Sequence, residues 1–399
     1  MQFGEQEEGS GRLRWAFEEG GGWDSAGPRD TLARVSAHDP QDPRVVAIYR
    51  PHYYPEAALA AEFGPGWSDW RRVAEAVPLF PGHEQPRQPW DLGYCDLRVP
   101  EVRRAQADLA RAYGVDAFCY GHYWFEGRRL FERPFAEVLA SGAPDFPFCL
   151  CWVNEDWQRP WIAQTYSRRD DLVHAAFLAE AFADPRYLRV AGRPVFVVRR
   201  PEALDDSVAT LAAIRAAAAA RGVGEPWLLG AEEVTASAQA RDRGFDATLD
   251  WPHPGLAPRP PAHDGEGLLR RALTNLVRWR RWLPRLAIAR EARRRARLQP
   301  AAAGRIAVTA VGWDDTPTRG SLGAVLVARS PLLFEQALRA ALLRARSAPA
   351  GERLVFIEAW NAWSEGASLE PDRRFGRAYL ASVARARIGA SLPAGSAAG

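Results

Sequence analysis

From Val45 onwards, short runs of apolar and β-branched residues alternate with longer stretches of helical periodicity. Val45–Arg50, Val115–Tyr120, Phe146–Trp152, Pro194–Val198, Trp227–Glu232, Phe245–Trp251, Ile306–Gly312 and Arg353–Ala359 read as strands. Between them, Val99–Tyr113, Leu172–Ala183, Leu204–Arg221 and Pro331–Arg346 carry a helical pattern. Strands alternating with helices imply parallel strands, and eight such units over roughly 350 residues predict a (β/α)8 barrel. Residues 1–42 are polar and glycine-rich ("EEGGGWDSAG") and are expected to be a tail or linker. Residues 43–390 form the predicted domain, and 391–399 a flexible C-terminus. A doubly wound nucleotide-sugar transferase is the competing fold, and it requires a glycine-rich phosphate turn after the first strand. Here that strand runs into "RPHYYPEA", which has no glycine, and no metal-holding D-x-D pair is found.

Polar aromatic clusters fall where the predicted strands end. The first strand leads to His52 and Tyr53, and the second to Tyr120, His122, Tyr123 and Trp124. The third leads to Trp152, Asn154, Glu155, Asp156 and Trp157, the sixth to Trp251, and the seventh to Trp313 and Asp314. The eighth opens "EAWNAWSEG", with Glu358, Trp360, Asn361, Trp363 and Glu365. Barrel enzymes build their sites at the C-terminal ends of the strands, so these residues form the candidate site. Trp152, Trp157, Trp313 and Trp360 are expected to line a cleft with Asn154, Glu155 and Asn361. Strand alternation places Leu354, Phe356 and Glu358 on one face, which is expected to be the inner one.

Composition narrows the function. The chain has 399 residues, 47% hydrophobic and 25% charged, which is ordinary for a globular protein with a large core. A net charge of +3 gives no case for nucleic acid; lysine is absent, so all 52 basic residues are arginine. Sixteen tryptophans, many beside Asn, Asp, Glu, His or Tyr, suit sugars, whose C–H faces stack on rings while their hydroxyls need polar partners. The four cysteines form no CxxC, and three lie in apolar runs as small core residues. The N-terminal stretch has no apolar signal segment and no run approaches a membrane span, so a cytoplasmic location is expected. His52 and His122 show no HxH or HxxxH spacing, so neither a metal nor another cofactor is expected. Gly267–Gln299 carries eleven arginines with interleaved Leu, Trp and Ile, between strands six and seven. It is expected to be a basic helical insertion: a solvated excursion, a lid over the mouth, or a peripheral membrane contact through 267–299.

Three stretches closely resemble the WbsX family, a glycoside hydrolase family 99-like group found among bacterial surface-polysaccharide biosynthesis proteins. They are "PLFPGHEQPRQPWDLGYCDLR…HYWF", "PDFPFCLCWVNEDW" and "AWNAWSEGASLEPD", and the likeness runs from about Val45 to Ala384. The resemblance implies a (β/α)8 barrel and, from family 99 hydrolases, retaining cleavage of α-mannosidic linkages without a protein nucleophile. There a glutamate deprotonates the sugar's own 2-hydroxyl, and a second glutamate three residues on protonates the leaving group. Asn361, Trp363 and Glu365 match that motif, but Ala362 stands at the first glutamate and Glu358 at a position usually Asn. Two carboxylates are the ordinary requirement for glycoside hydrolysis. Either Glu358 has become the base, with Glu365 the acid, or the protein no longer hydrolyses by that route. The implied partner is an oligosaccharide or polysaccharide, including a lipid-linked glycan; a catalytically inactive glycan-binding or scaffolding role is the alternative.

Overall fold

The structure, a computed structural model, describes residues 42–155, 157, 162–233, 240–251, 304–320, 323–326 and 329–391. The predicted tail up to residue 41, the basic insertion 267–299 and Asp156 lie outside the described residues.

Eight strands run in parallel: β1 (Arg44–Tyr49), β2 (Ala117–Phe125), β3 (Phe148–Trp152), β4 (Arg193–Val198), β5 (Trp227–Glu233), β6 (Ala247–Trp251), β7 (Arg305–Thr309) and β8 (Leu354–Ile357). Each pairs with the next, and β8 returns to β1 with Phe356 opposite Val46, closing the expected barrel. Helices α1 (Pro100–Ala112), α2 (Arg133–Ser141), α3 (Arg168–Phe182), α4 (Ser207–Arg221), α5 (Pro331–Ala345) and α6 (Ala378–Ser391) accompany it. Their ends follow local rules. Ser167 and Ser330 cap α3 and α5 by accepting from the amides of Asp170 and Leu333, and Gly222 ends α4 in the left-handed region.

Side chains alternate along a strand, and partners in a parallel pair share a face. The register therefore divides the barrel. Val46, Ile48, Cys119, Cys151, Val197, Leu229, Leu249, Val308 and Phe356 fill the interior. Tyr49, Phe118, Tyr120 and Phe148 face the helices, where the Tyr49 hydroxyl donates to Gln106 of α1 at 2.8 Å and Tyr120 meets Phe135 of α2.

β2 extends five residues beyond the predicted end at Tyr120, because Tyr123, Trp124 and Phe125 pair with the antiparallel segment Arg128–Leu130. The candidate cluster on this strand is thereby split in two. Tyr123 faces inward, but Tyr120, His122 and Trp124 face the helical layer, which corrects their expected place in the mouth. His122 Nε2 lies 3.0 Å from His174 Nε2 on α3, and Trp124 stacks on His174 and donates to Asp170 at 2.9 Å. Trp152, the last residue of β3, packs edge-on against His174 on the same outer side.

Burial depresses both histidines, His122 to about 3 with Arg129 adding to the effect, and His174 well below its usual value beside His122. A histidine held neutral in the folded state stabilises fully above its unfolded pKa, and that contribution is lost as pH falls. The unfolding free energy should therefore decline from about pH 6.5 towards pH 3, with each histidine contributing a slope of up to about 1.4 kcal/mol per pH unit. Chemical denaturation across that range should show a shallower decline in a His122→Gln/His174→Gln variant; parallel curves would refute this account.

Candidate active site at the barrel mouth

Two asparagines join strand ends where the backbone ladder stops. Asn154, two residues beyond β3, accepts from the amide of Arg200 at 2.8 Å and donates to its carbonyl at 2.8 Å. Asn361, beyond β8, treats Arg50 in the same way, accepting at 2.7 Å and donating at 3.0 Å. Both are fully buried. A side-chain amide presents the same donor and acceptor as a peptide, so each asparagine extends the ladder by one step while letting its own backbone turn away. These positions in "WVNED" and "AWNAW" are architectural.

The chain after β8 folds into a small hairpin. Asn361–Ala362 pair with Ala367–Ser368, and a 3-10 turn, Trp363–Glu365, closes at Gly366. Glu370 holds this hairpin from behind, accepting from Trp360 Nε1 at 3.1 Å, Trp363 Nε1 at 2.6 Å and Gln106 Nε2 at 2.6 Å. Burial raises its pKa to about 7, against the opposing effect of those three donors. Trp360 and Trp363 are consequently core residues, 0% and 1% exposed, as is Trp152 at 1%. Asp314 holds the hairpin on its other side. Its carboxylate meets His83 at 2.8 Å, Gln85 at 2.7 Å and the Thr316 hydroxyl at 2.6 Å, and its amide donates to the Glu365 carbonyl at 2.7 Å. Tyr53 belongs to the same scaffold, its hydroxyl accepting from the Ser364 amide at 3.1 Å.

What faces the opening is a ring of charge. Arg50, one residue beyond β1, points inward and binds Glu365 through Nη2 at 3.0 Å. Burial alone would lower the pKa of Arg50, and the adjacent Glu365 overrides this and raises it. Glu365 keeps 28% of its side chain accessible. The Tyr123 hydroxyl sits among these groups: burial pushes its pKa up, Arg50 opposes, and the carboxylates of Glu365, Glu155 and Asp69 add to the rise. His52 Nδ1 lies 3.1 Å from Asp69 Oδ2, and its ring packs on Tyr123. Burial would raise the Asp69 pKa, but His52, Arg72 and Ser364 together hold it below its usual value. Deeper on the inner face, Glu358 is 1% exposed and continues the β8 register, its amide bonded to the Thr309 carbonyl. Across the barrel the Arg199 guanidinium lies 4.1 Å over the ring of Trp251, both inward-facing. Trp157 is half-buried at the rim, edge-on to Tyr123 and Phe125, and Trp313 is half-buried beyond β7.

From the predicted set, Glu365, His52, Glu155 and Trp157 are partly accessible at the mouth, while Glu358, Tyr123 and Trp251 face inward beneath them, 1%, 3% and 2% exposed. Tyr53, Asn154, Asp314, Trp360, Asn361 and Trp363 support it, and Tyr120, His122, Trp124 and Trp152 lie behind it. Arg50, Asp69 and Arg199 were not anticipated. Arg50 and Arg199 occupy the first positions after strands β1 and β4, a placement the strand alternation could have revealed. Among the described residues no group of three or more His, Cys, Asp or Glu could hold a metal ion.

Comparisons with known proteins agree with this architecture. The family model described as glycosyltransferase WbsX matches residues 45–383. The chain belongs to the WbsX family. The uncharacterized protein WxcX from two strains of Xanthomonas campestris pv. campestris is 37% identical over 356 residues, covering 86% of this chain and 49% of the relative. The chain therefore spans about half the length of the curated relatives it matches. Among solved structures, a glycoside hydrolase-like protein aligns over 90% of this chain and 99% of its own, with a TM-score of 0.54 and 15% identity. The GH99 endo-alpha-mannosidase from Bacteroides thetaiotaomicron aligns over 88% and 97%, with a TM-score of 0.51 and 14% identity. These two likenesses are of fold.

In this WbsX protein Ala362 is buried with Ala359 and Ala367 in a small apolar cluster. Gly366 takes φ +62, and a Cβ there would fall 2.5 Å from Asp314 Cβ. Gly366→Ala should cost about 1–3 kcal/mol for the left-handed backbone and a further 1–3 kcal/mol or so for overpacking. Thermal unfolding measures the loss; wild-type stability in the variant would show that the hairpin is loosely held.

Proposed function

We propose that the protein acts on glycosidic linkages of a surface-polysaccharide glycan, as a hydrolase or a glycosyl-transferring enzyme. The observation that carries this reading is the accessible Glu365, held by Arg50 at the centre of a mouth rimmed by aromatic rings. In the proposed chemistry Glu365 protonates the leaving oxygen, and Glu358, from the inner face of β8, takes the proton of the attacking hydroxyl. Asn361 sets the spacing between them by tying the chain to Arg50. Tyr123, His52, Glu155, Trp157 and Trp251 are the sugar contacts, with Trp313 beside them. No cofactor takes part. An α-mannoside is the first substrate to test, since family 99 chemistry is the point of resemblance. A lipid-linked glycan, a cytoplasmic place of action and membrane contact through 267–299 complete the reading. Among the described residues no helix is long and apolar enough to cross a membrane.

The second reading, a glycan-binding protein without turnover, is favoured by one observation. Ala362 offers no proton acceptor, and its neighbours Ala359 and Ala367 pack against it.

One measurement separates these readings, and a second tests the site they share. Product analysis on α-mannoside oligosaccharides should show that Glu365→Gln abolishes cleavage or transfer, and that Glu358→Gln lowers it at least a hundredfold. Loss in both variants eliminates the inactive reading, whereas wild-type rates in both would remove these carboxylates from the mechanism. Separately, Trp157→Ala and Trp313→Ala should each weaken oligosaccharide binding by about 1–3 kcal/mol, the scale of losing a partly buried aromatic contact. Calorimetry giving unchanged affinity for both would place the ligand elsewhere.

A further inference from the structure

Beside the mouth lies a second concavity, a cavity of about 370 Å³ walled by residues 82–88, Arg329 and residues 372–374. These three segments leave the C-terminal ends of β1, β7 and β8, so the cavity opens on the same end of the barrel as Glu365. Its lining is rich in guanidinium groups: Arg87, Arg329, Arg373 and Arg374 stand against only two carboxylates, Glu84 and Asp372. Glu84 pairs with both Arg329, at 2.9 Å, and Arg374. Asp372 pairs with Arg87 at 2.6 Å. Four positive charges against two negative ones leave a surplus of two, before His83 is considered.

The pairs are also incompletely satisfied. Arg87 is 5% exposed and donates to the Gly366 carbonyl at 2.7 Å, yet its Nε is buried with no hydrogen-bond partner among the described residues. Arg329 donates to the same carbonyl at 2.7 Å, and burial, with this second cation close by, lowers the pKa of Arg87. Arg373 and Arg374 lie exposed at the rim. Arg373 bonds Gln88 at 2.9 Å and stands 5.7 Å over the ring of Trp90, which is 60% exposed. The Trp90 amide donates to the Pro371 carbonyl at 2.9 Å, which holds the backbone of this residue next to the segment that carries Arg373. An exposed indole beside a cation-rich hollow offers a stacking face for a sugar ring, and the hollow offers donors for an anion attached to it.

We propose that this cavity is a subsite for an acidic sugar, one bearing a phosphate or a carboxylate, with Trp90 stacking on the ring and Arg373 and Arg374 binding the anion. The proposal deepens the glycan reading, on which it rests, by naming the charge of the substrate. It also accounts for a connection in the fold. Arg87 and Arg329 meet on the carbonyl of Gly366, the residue next to Glu365, so the cavity wall and the turn that carries the acid share a contact.

Saturation-transfer NMR on the full chain tests this with glucose 1-phosphate, methyl β-glucuronide, inorganic phosphate and neutral methyl β-glucoside. At least one acidic sugar should bind ten times or more tightly than the neutral one, with affinity falling as salt rises; which one binds identifies phosphate or carboxylate as the anion. Arg373→Ala/Arg374→Ala should reduce acidic-sugar binding at least tenfold. Trp90→Ala should reduce it while leaving inorganic phosphate binding unchanged, which separates the ring contact from the charge contact. Circular dichroism confirms that each variant is folded. Equal binding of acidic and neutral sugars, or acidic-sugar affinity unaltered in both variants, overturns the proposal. Glu365→Gln should retain the binding, so loss of turnover there speaks to the catalytic reading and loss of acidic-sugar selectivity speaks to this one.

Discussion

A carboxylate buried where no solvent reaches it is costly unless donors surround it, and the eighth-strand loop is organised around one. Glu370 accepts from two indoles and one amide, and burial still raises its pKa to about 7. With the amide comes α1, because Gln106 also receives the hydroxyl of Tyr49 on β1. With the indoles comes the segment 360–363, which Asn361 also ties to Arg50 and the Trp360 amide to the Ile48 carbonyl. A loop of this length fixed only by its backbone pairing, two residues against two, would fray. Fixed by Trp360 and Trp363 on a common carboxylate, it presents the turn 363–365 in one position. The place of Glu365 is thus set from behind, by groups buried beneath it.

The second constraint is the end of the barrel itself. Parallel strands terminate at different heights, and their last amides and carbonyls need partners. Asn154 and Asn361 supply them for the residues that follow β4 and β1. Arg50 is therefore held by its backbone through Asn361 and by its side chain through Glu365. Both contacts come from the same loop, so β1 and the hairpin after β8 form one rigid unit at the seam where the barrel closes. Asp314 extends that unit to the loop after β7 through the Glu365 carbonyl, and to the loop after β1 through His83 and Gln85.

Periodicity made the barrel legible, since parallel strands buried on both sides read as apolar runs whatever they enclose. It also placed Glu358 correctly, because alternation from Leu354 needs no knowledge of the partner strand. The same alternation, applied past Tyr120, would have turned His122 and Trp124 outwards. What concealed this was the continuation of β2 into a hairpin arm with Arg128–Leu130, a pairing set by the turn at Glu126–Gly127 and not by apolar pattern. Tryptophan content misled in a different way. An indole beside a polar residue suits a sugar face, but it equally suits a core position with a buried acceptor for its N–H. For Trp360 and Trp363 that acceptor is Glu370; for Trp124 it is Asp170. Neither carboxylate lies next to its tryptophan in sequence. Arg50 and Asp69 escaped for the same reason, since their roles arise from contacts with Glu365, Ser364 and His52 that only the closed barrel creates.

Ala362, which stands where the family 99 motif it resembles has a glutamate, has a definite physical setting here. An isolated loss of a carboxylate in a built site would leave a hole or stranded donors. Here the position is filled by three packed alanines, and the hairpin register from Asn361 to Ser368 is intact. The scaffold that orients Glu365, from Glu370 to Asp314, makes no use of a side chain at 362. Under the proposed chemistry, positioning of the acid and provision of the base would be separable: the first would depend on the loop's anchors, the second on whichever acceptor the inner face of the barrel offers. Glu358 stands on that face within the β8 register, and its depth at 1% exposure means that, for the proposed chemistry, a sugar would have to enter the barrel mouth to reach it. In the proposed reading a ring stacked at the rim on Trp157 with an inward-directed hydroxyl would satisfy that requirement, and the rim aromatics and the buried carboxylate would then act as one arrangement.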